Sequence, residues 1–316
     1  PYFYLAFFLI FNIFNFVDRN LLIAFAPQIK SEFNLTNVQW GLLTGVYFLF
    51  FYSVFGIFMG VLGDKFSRMK IAAAGVFLWS LMTAVTGIAK NFSHLIFARA
   101  LIGVGESALT PNAISMLSDL FKQNQRGTAS AIYYLGIPLG VGFGMLIAAF
   151  FGPIFGWRAV FIFLGLIGMG LGILTYFLFE PIRGQLDINF DKTSKPNSIK
   201  DILSMTKSAL YNSKCLTFVI IGSIFLHIPL GAGNFEVLWA VNERGFTASS
   251  YNSLFGFLFI IGGTVGALAG GILSDRLSHY FKGGVMTFLV ISYIILTPLT
   301  VSYRFISPDS YFFYFT

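Results

Sequence analysis

The chain has 316 residues, of which 56% are hydrophobic and only 10% are charged, and its mean hydropathy is +0.79. A soluble domain carries about 25% charged residues, so this composition excludes a soluble protein and predicts an integral membrane protein with many spans. The single cysteine, Cys215, excludes a disulfide framework and a cysteine-based metal site, and we expect no cofactor.

Apolar runs of about 20 residues predict nine membrane-spanning helices and the start of a tenth. The runs lie at roughly 2–27, 38–61, 71–89, 93–117, 128–151, 158–179, 214–241, 250–273 and 284–302, with a further run from near Tyr311. We therefore expect an all-α membrane protein. Its predicted parts are a six-helix bundle at 1–182, a cytoplasmic linker with a short amphipathic helix at 183–213, and an incomplete second bundle at 214–316.

Basic residues divide unequally between the loops on the two sides of the membrane. Five lie on one side: Lys30, Lys90, Arg158, Arg244 and Arg304. Thirteen lie on the other: Lys65, Arg68, Lys70, Lys122, Arg126, Arg183, Lys192, Lys195, Lys200, Lys207, Lys214, Arg276 and Lys282. The positive-inside bias puts the thirteen, and the N-terminus, in the cytoplasm of a cell with the protein in its inner membrane. The excess of basic residues in the cytoplasmic loops then accounts for the net charge of +7. We expect no nucleic-acid partner, because no basic patch is interleaved with aromatic residues.

An internal repeat relates spans two and eight at a shift of 211 residues, where GVLGDKFS at 60–67 falls on GILSDRLS at 271–278. The paired positions are Thr36 and Thr247, Trp40 and Tyr251, Gly45 and Gly256, Gly60 and Gly271, Asp64 and Asp275, and Lys65 and Arg276. A six-span repeat predicts two facing bundles with a binding site near the bilayer midplane. Two bundles need twelve spans, so we expect this sequence to be part of a protein of roughly 400 residues or more.

Several segments resemble a known family. GVLGDKFSRMK at 60–70 resembles the loop motif G-x-x-x-D-R-x-G-R-R/K of the major facilitator superfamily, from which it departs at Lys65 and Ser67. RALIGVG at 99–105 resembles that superfamily's R-x-x-x-G-x-G motif in span four. More narrowly, NFVDRN, GVGES, TPNAISMLSDLF, QRGTASAIYYLGIPLG, GWRAVF and EPIRG resemble the Spinster-like branch over about residues 10–184. The resemblance implies alternating-access transport, with lysolipids or a sphingoid phosphate as the solutes of eukaryotic members and proton coupling in some.

Five polar residues of spans one and four are the predicted site for substrate and protons. Asp18 lies about 13 Å below the end of span one, close to the midplane, and span four carries Arg99 and Glu106 on one face at overlapping depths. Charges at such depths face a bundle interior or a wet cavity and pair with one another. We predict that Asp18, Arg19, Glu106, Arg99 and Asn15 form one cluster, in which a carboxylate exchanges a proton and Arg19 holds an anionic group. The alternative is a salt-bridge network that only positions helices, and Arg99 in particular would tie span four to span one.

His227, midway along span seven, is a further candidate for contact with protons or substrate. A structural hydrogen bond to a neighbouring helix is the alternative for it.

The resemblance implies a gate at the cytoplasmic ends of spans two and eight. Its predicted members are Gly60, Asp64, Lys65, Arg68, Arg126, Gly271, Asp275 and Arg276, with Asp119 as a partner. A solvated, positive-inside loop is the alternative. In span five, Gly136, Gly140 and Gly144 recur every four residues, which predicts close helix packing in lipid.

The leading hypothesis is a monomeric, proton-coupled secondary transporter for a small anionic or amphipathic organic solute, with lysolipid-like molecules as one candidate class. The alternatives are an organic-acid or sugar-acid symporter and a non-transporting receptor or scaffold. We do not expect an enzyme, because no nucleophile or metal cluster is visible and His94, His227 and His279 lie on different segments.

Overall fold

The computed structural model describes residues 1–184, 186, 199–281, 283–307 and 310, and within these residues the regular structure is helical. The first nine helices are α1 (Tyr2–Ala24), α2 (Ala26–Glu32), α3 (Asn37–Gly41), α4 (Tyr47–Lys65), α5 (Arg68–Gly87), α6 (Phe92–Glu106), α7 (Leu109–Leu120), α8 (Arg126–Tyr134) and α9 (Gly136–Tyr176). They are followed by α10 (Ile199–Asn212), α11 (Lys214–Ala232), α12 (Glu236–Arg244), α13 (Ala248–Leu277) and α14 (Gly284–Ser302).

Seven helical segments of the described residues are long and apolar enough to cross a membrane, so the chain is a multi-pass membrane protein. The segments are Tyr2–Ala24, Asn37–Lys65, Arg68–Gly87, Phe92–Leu120, Arg126–Tyr176, Ala248–Ser274 and Gly284–Phe305. The fifth has 51 residues and covers two predicted spans, which Gly156 separates with its φ of 75°. Predicted span seven corresponds to α11 and α12, joined by a 3₁₀ turn at Gly233–Phe235. The number of spans in the bilayer stays a prediction.

The chain divides into two compact units, residues 1–257 and residues 258–316, so that α13 contributes to both. Helix α10 lies within the predicted linker, while the predicted bundle boundaries near residues 182 and 213 stay predictions.

Helices α1 and α5 pack against α9 along rows of glycine in the first unit. A Cβ atom added to Gly140 would lie 2.5 Å from the carbonyl oxygen of Ile13 and 2.5 Å from Cβ of Phe16. Gly136 and Gly144 face α1 in the same way, and Gly165 meets α5. Side chains at these positions would push the helices apart, so the three predicted packing glycines lie at close contacts between α9 and α1.

Three apolar cores lie in the first unit. One is built around Phe8, Phe11, Trp79 and Tyr133, the second around residues such as Trp40, and a smaller third contains Met145 and Tyr251. We call the end of the unit that carries Trp40 the Trp40 end, and the opposite end, where α4 runs into α5, the Asp64 end. Aliphatic and aromatic packing between helices has to stabilise them in lipid, since lipid itself is as apolar as these side chains.

An ionic contact ties three segments together at the Trp40 end. The Arg158 guanidinium donates to Glu32 Oε1 (2.6 Å from Nη2) and, through Nη1, to the carbonyl oxygens of Gly87 (3.0 Å) and Ala89 (2.7 Å). Trp157 Nε1 donates to Glu32 Oε2 at 2.8 Å. Hydrogen bonds from Arg158 hold the pKa of Glu32 below its ordinary value, although partial burial opposes this. The contact joins α2, the end of α5 and the start of the second half of α9.

Candidate functional site

An ion pair between α1 and α6 forms the centre of the candidate site. Arg19 Nε donates to Glu106 Oε2 at 2.5 Å. The Glu106 side chain is fully buried and that of Arg19 is 20% exposed, so the guanidinium is the part of the pair that reaches the surface of the cluster. Glu106 is the last residue of α6, where span four breaks before α7 begins. A charged pair buried in the hydrocarbon region carries a large desolvation penalty and is a functional-site signal by default.

Three aromatic rings surround the Arg19 guanidinium. Its Cζ atom lies 5.0 Å from the ring centre of Phe16, 4.8 Å from that of Phe48 and 4.6 Å from that of Tyr52. Cation–π attraction at these distances stabilises the charge without neutralising it. The sequence analysis missed these rings, because no charge or spacing distinguishes them from the other aromatic residues of spans one and two.

Asp18 points away from Arg19, since neighbouring residues on a helix are rotated by about 100°. It is 4% exposed, and its Oδ2 lies 2.6 Å from the hydroxyl of Thr83 on α5. The same hydroxyl lies 2.9 Å from the carbonyl oxygen of Trp79. Thr83 is a second residue that the sequence analysis missed.

The remaining predicted members of the cluster are also buried. Asn15 lies beside Glu106 and is 3% exposed. Arg99 is 5% exposed, and its Cζ lies 4.5 Å from the ring centre of Phe48. Within the part of the chain that the structure describes, Arg99 has no ion pair within 4.0 Å, and Arg99 Nε and Asp18 Oδ1 have no hydrogen-bond partner. Asn15 Nδ2 and Glu106 Oε1 also lack a partner among the described residues, so protein groups satisfy the polar atoms of the cluster only in part.

The recorded hydrogen bond of His227 is not with a member of this cluster. His227 is exposed, and its Nδ1 lies 2.7 Å from the carbonyl oxygen of Ser223, one turn earlier on its own helix α11. The hydrogen bond to a neighbouring helix that we considered is therefore replaced by a bond within α11, because the ring folds back along its own helix.

Arg68 is the buried centre of the Asp64 end. Its Nε donates to Glu180 Oε1 at 2.8 Å, and its Nη1 donates to Asp119 Oδ2 at 2.6 Å and to Ser115 Oγ at 2.9 Å. Burial opposes ionisation of Glu180, yet hydrogen bonds from Arg68 and Ser67 hold the pKa of this carboxyl below its ordinary value. Asp119, the predicted partner, thus meets Arg68 directly.

Arg183 completes this end by capping α4. Its two terminal nitrogens donate to the carbonyl oxygens of Gly63 (2.7 Å), Asp64 (2.6 Å) and Phe66 (2.6 Å). A cation on the last carbonyls of a helix is favourable for the helix dipole. Glu180 and Arg183 belong to the EPIRG segment, so the signal for them was in the sequence, although we had not assigned them to the gate.

The other predicted gate residues make fewer contacts. The side chains of Asp64 and Lys65 are exposed and have no ion pair among the described residues. Gly60 lines a cavity of about 440 Å³ between α4 and α7. Arg126 Nε donates to the carbonyl oxygen of Phe121 at 3.2 Å. In the second copy Gly271 and Arg276 are exposed, and the side chain of Asp275 lies outside the described residues.

Comparison with protein families gives a match to the model described as Major Facilitator Superfamily over residues 8–315. A solved structure titled as a bacterial homologue of the human lysosomal transporter Spinster, in an inward-facing and unoccupied conformation, aligns with a TM-score of 0.80 and 23% identity. The alignment covers 99% of this chain and 70% of that one. At this identity the likeness concerns the fold.

Curated proteins that are similar in sequence include the following three. Protein spinster of Drosophila melanogaster is 28% identical over 84% of this chain and 44% of its own length. The sphingosine-1-phosphate transporter SPNS2 of Danio rerio is 32% identical over 56% of this chain and 36% of its own length. The probable L-galactonate transporter of Escherichia coli K12 is 26% identical over 86% of this chain and 60% of its own length. The chain spans about half the length of the curated relatives it matches.

Proposed function

The chain belongs to the major facilitator superfamily, and we propose that the full-length protein is a proton-coupled secondary transporter of a small anionic or amphipathic organic solute. Membership of a superfamily of transporters agrees with the prediction that the protein is not an enzyme. Alternating access exposes one midplane site to each side of the membrane in turn. We further propose that it works as a monomer in the inner membrane, with its N-terminus in the cytoplasm and no nucleic-acid partner.

The observation that carries the proposal is the contact of Asp18 with Thr83. A threonine hydroxyl has one hydrogen, and the carbonyl oxygen of Trp79 can only accept. When Thr83 donates to Asp18 Oδ2 it satisfies an ionised carboxylate, whereas when it donates to Trp79 the 2.6 Å contact is a hydrogen bond only if Asp18 carries a proton. A protonated Asp18 satisfies both contacts at once, which supports a role for this carboxyl as a proton carrier.

The ion pair supports coupling between that proton and an anion. An anionic group that binds Arg19 competes with Glu106 for the guanidinium. Glu106 would then be left as a buried carboxylate without its partner, a state that favours protonation. Binding of an anion and of a proton would thereby help each other in one cluster, as co-transport requires.

The rings around Arg19 support an amphipathic solute, since an anionic head group on the guanidinium would lie beside aromatic surface. Similarity to a sphingosine-1-phosphate transporter supports the same class. A sugar acid or another organic acid is the second candidate, which similarity to a probable L-galactonate transporter supports. A lysolipid carrier needs an apolar opening between helices towards the lipid, whereas an acid symporter needs a closed polar pocket with two or more basic residues.

The Asp64 end supports a gate on the cytoplasmic side. Arg68, Asp119 and Glu180 join α5 to the end of α7 and to the segment that follows α9. We propose that this network holds the first bundle as one body while the bundles rock. The positive-inside bias puts the Asp64 end in the cytoplasm and the Trp40 end outside.

The test uses the full-length protein in liposomes that contain a trapped pH dye. A panel of lysolipids, sphingoid phosphates and sugar acids is added outside, and Asp18→Asn and Glu106→Gln are compared with the unmodified protein. We expect one compound class to drive proton movement and both substitutions to reduce it at least tenfold. Glu32→Gln, which removes a carboxylate from the Trp40 end, is the matched control and should retain the signal. Solute movement without proton movement in the unmodified protein would contradict proton coupling.

A further inference from the structure

Two helix interruptions at the Trp40 end lie at equivalent positions of the internal repeat. Span one is interrupted at Phe25, between α1 and α2, and span seven at Gly233–Phe235, between α11 and α12. The shift of 211 residues places Phe235 on Ala24. The two interruptions therefore mark the same point in the two halves of the repeat.

Trp40 reaches from the first half to the interruption in span seven. It is fully buried, and its Nε1 donates to the carbonyl oxygen of Asn234 at 2.9 Å. The neighbouring Gly41 lies against the Phe235 ring, where an added Cβ would be 3.5 Å from the nearest ring atom. Leu238, one turn further on, is buried in the same apolar core as Trp40.

Asn252 makes the reciprocal contact, from α13 to the interruption in span one. It is 2% exposed, and its Nδ2 donates to the carbonyl oxygen of Ala24 at 2.9 Å. The preceding residue, Tyr251, is the repeat equivalent of Trp40; it is 1% exposed and packs with Met145 and Ile23. Each half thus places a buried aromatic residue and an N–H donor on the interrupted helix of the other.

Equivalent caps set the start of the two donor helices. Thr36 Oγ1 accepts from the backbone N–H of Gln39 (3.2 Å), and Thr247 Oγ1 accepts from that of Ser250 (3.1 Å). The shift of 211 residues relates both partners of these two bonds. The caps therefore begin the two helices in the same register, which puts Trp40 and Tyr251 at the same position relative to their caps.

Glycine permits a close approach on the α13 side. Gly256 allows α13 to pass α9, since an added Cβ would lie 2.8 Å from Cδ2 of Leu146 and 3.0 Å from the carbonyl oxygen of Gly142. Its equivalent, Gly45, faces the Asn234 side chain at 4.0 Å. The approach is tighter on the α13 side, so the two contacts are related in position without being identical in packing.

We propose that the Trp40–Asn234 and Asn252–Ala24 hydrogen bonds are a reciprocal pair of latches that hold the Trp40 end closed. Both latches break in the step that opens the site towards that end. The inference rests on the proposed alternating access, and it assigns to Trp40 and Asn252 a role that lies outside the charged cluster.

The chemistry of the contacts suits a gate that opens repeatedly. Both latches join a neutral donor to a backbone carbonyl, so each contributes only a modest net free energy and no unpaired charge remains when it breaks. An ion pair buried at the same place would leave two unpaired charges on opening. Ser249 Oγ, which donates to the carbonyl oxygen of Ala149 at 2.8 Å, is a third neutral contact of α13 with α9.

The test measures how often the Trp40 end opens. Met145, which is 7% exposed and lies in the same apolar core as Tyr251, is replaced by cysteine in full-length protein whose native cysteines, Cys215 among them, are replaced by serine. The rate at which a maleimide labels this thiol is then compared with and without Trp40→Phe and Asn252→Ala. We expect each substitution to raise the rate about fivefold, the factor that the loss of one buried hydrogen bond predicts, and the pair to raise it about 25-fold.

Two matched substitutions remove similar bonds that do not join the two halves. Trp157→Phe loses the indole bond to Glu32, and Asn112→Ala loses the amide bond to the Ala108 carbonyl one turn back. Neither should change the labelling rate. Trp40→Phe keeps a buried ring, so it tests the latch even if Asn252→Ala does not fold.

The outcomes separate the latch from the proposed function. Faster labelling in the latch variants supports the latch, even if no panel compound moves protons, in which case the transport proposal alone fails. Labelling at the unmodified rate in Trp40→Phe, or at the same raised rate in the control variants, overturns the latch whether or not transport is observed.

Discussion

The Arg19–Glu106 ion pair allows a quantitative test in the form of a double-mutant cycle. Glu106→Gln leaves a guanidinium that is 20% exposed and lies over three rings, whereas Arg19→Gln leaves a fully buried carboxylate without its partner. Arg19→Gln should therefore destabilise the folded protein more than Glu106→Gln does. The double variant removes both charges and should recover most of the lost stability.

The separation of 2.5 Å corresponds to about 7 kcal/mol of gross attraction at an effective dielectric constant of about 20. Desolvation offsets much of this attraction, and breaking a buried pair from one side typically costs about 3–5 kcal/mol. We expect the upper part of that range for Arg19→Gln and less for Glu106→Gln, because rings and partial exposure still stabilise Arg19. The coupling free energy should be about 2–4 kcal/mol.

The assay is unfolding of the full-length protein in detergent micelles, followed by apparent melting temperature for the unmodified protein, both single variants and the double variant. At about 2.1 cal/mol/K of unfolding entropy per residue, a loss of 3–5 kcal/mol lowers the melting temperature by about 4–6 °C in a full-length protein of about 400 residues. Equal and additive losses in the two single variants would refute the reasoning, since they would mean that the two side chains do not interact.

Three further predictions concern the supporting structure. Gly140→Ala should destabilise the protein by about 1–3 kcal/mol, because its Cβ would lie 2.5 Å from the Ile13 carbonyl oxygen, while Gly170→Ala on the same helix has open space and should be tolerated; melting temperatures compare the two. Arg68→Lys should lower the melting temperature by several degrees, because an ammonium group does not reproduce the fork that binds two carboxylates, and a neutral result would contradict the network. Glu32 has a lowered pKa in the folded protein, so its contribution to stability is complete above the ordinary glutamate pKa of about 4.3 and is lost as the pH falls through the folded value. The difference in melting temperature between the unmodified protein and Glu32→Gln should therefore shrink towards low pH, and a constant difference would exclude the ionised contact with Arg158.

Hydropathy predicted the helical segments well, because a chain in lipid has to satisfy its backbone groups within each span and needs about 20 apolar residues to cross. It predicted one of the two interruptions at Gly156 and at Gly233–Phe235. Gly156 lies in the gap between the predicted runs 128–151 and 158–179, so the 51-residue segment was predicted as two spans. The turn at Gly233–Phe235 lies inside the predicted run 214–241 and depends on backbone conformation, which hydropathy does not report.

Depth arithmetic brought together the charged part of the candidate site. It placed Asp18, Arg19 and Glu106 at overlapping levels, and the structure puts Arg19 and Glu106 in direct contact. Their functional roles stay predictions. Thr83 and Tyr52 were missed because their contribution depends on how α5 and α4 are rotated about their axes, and neither residue type is unusual in a membrane helix.

Buried charge outside the spans was predicted in part. Asp119 was expected to be a partner of the gate residues at the end of span two, and it meets Arg68 at 2.6 Å. The EPIRG segment contributes Glu180 and Arg183 to the same end. The sequence shows charges shortly after α9, but only the fold shows that they reach Arg68 and the end of α4. The repeat shift predicted the equivalence of Trp40 and Tyr251, although not the bonds that join each half to the other.

Solute counterflow and proton-driven accumulation, measured side by side on Asp18→Asn in liposomes, test proton coupling most directly. The solute is the compound that moves protons with the unmodified full-length protein. Counterflow exchanges labelled for unlabelled solute and needs no net proton movement, whereas accumulation against a gradient does. The account predicts that Asp18→Asn retains counterflow and loses accumulation. Accumulation by Asp18→Asn at the unmodified level would contradict the assignment of Asp18 as the proton carrier.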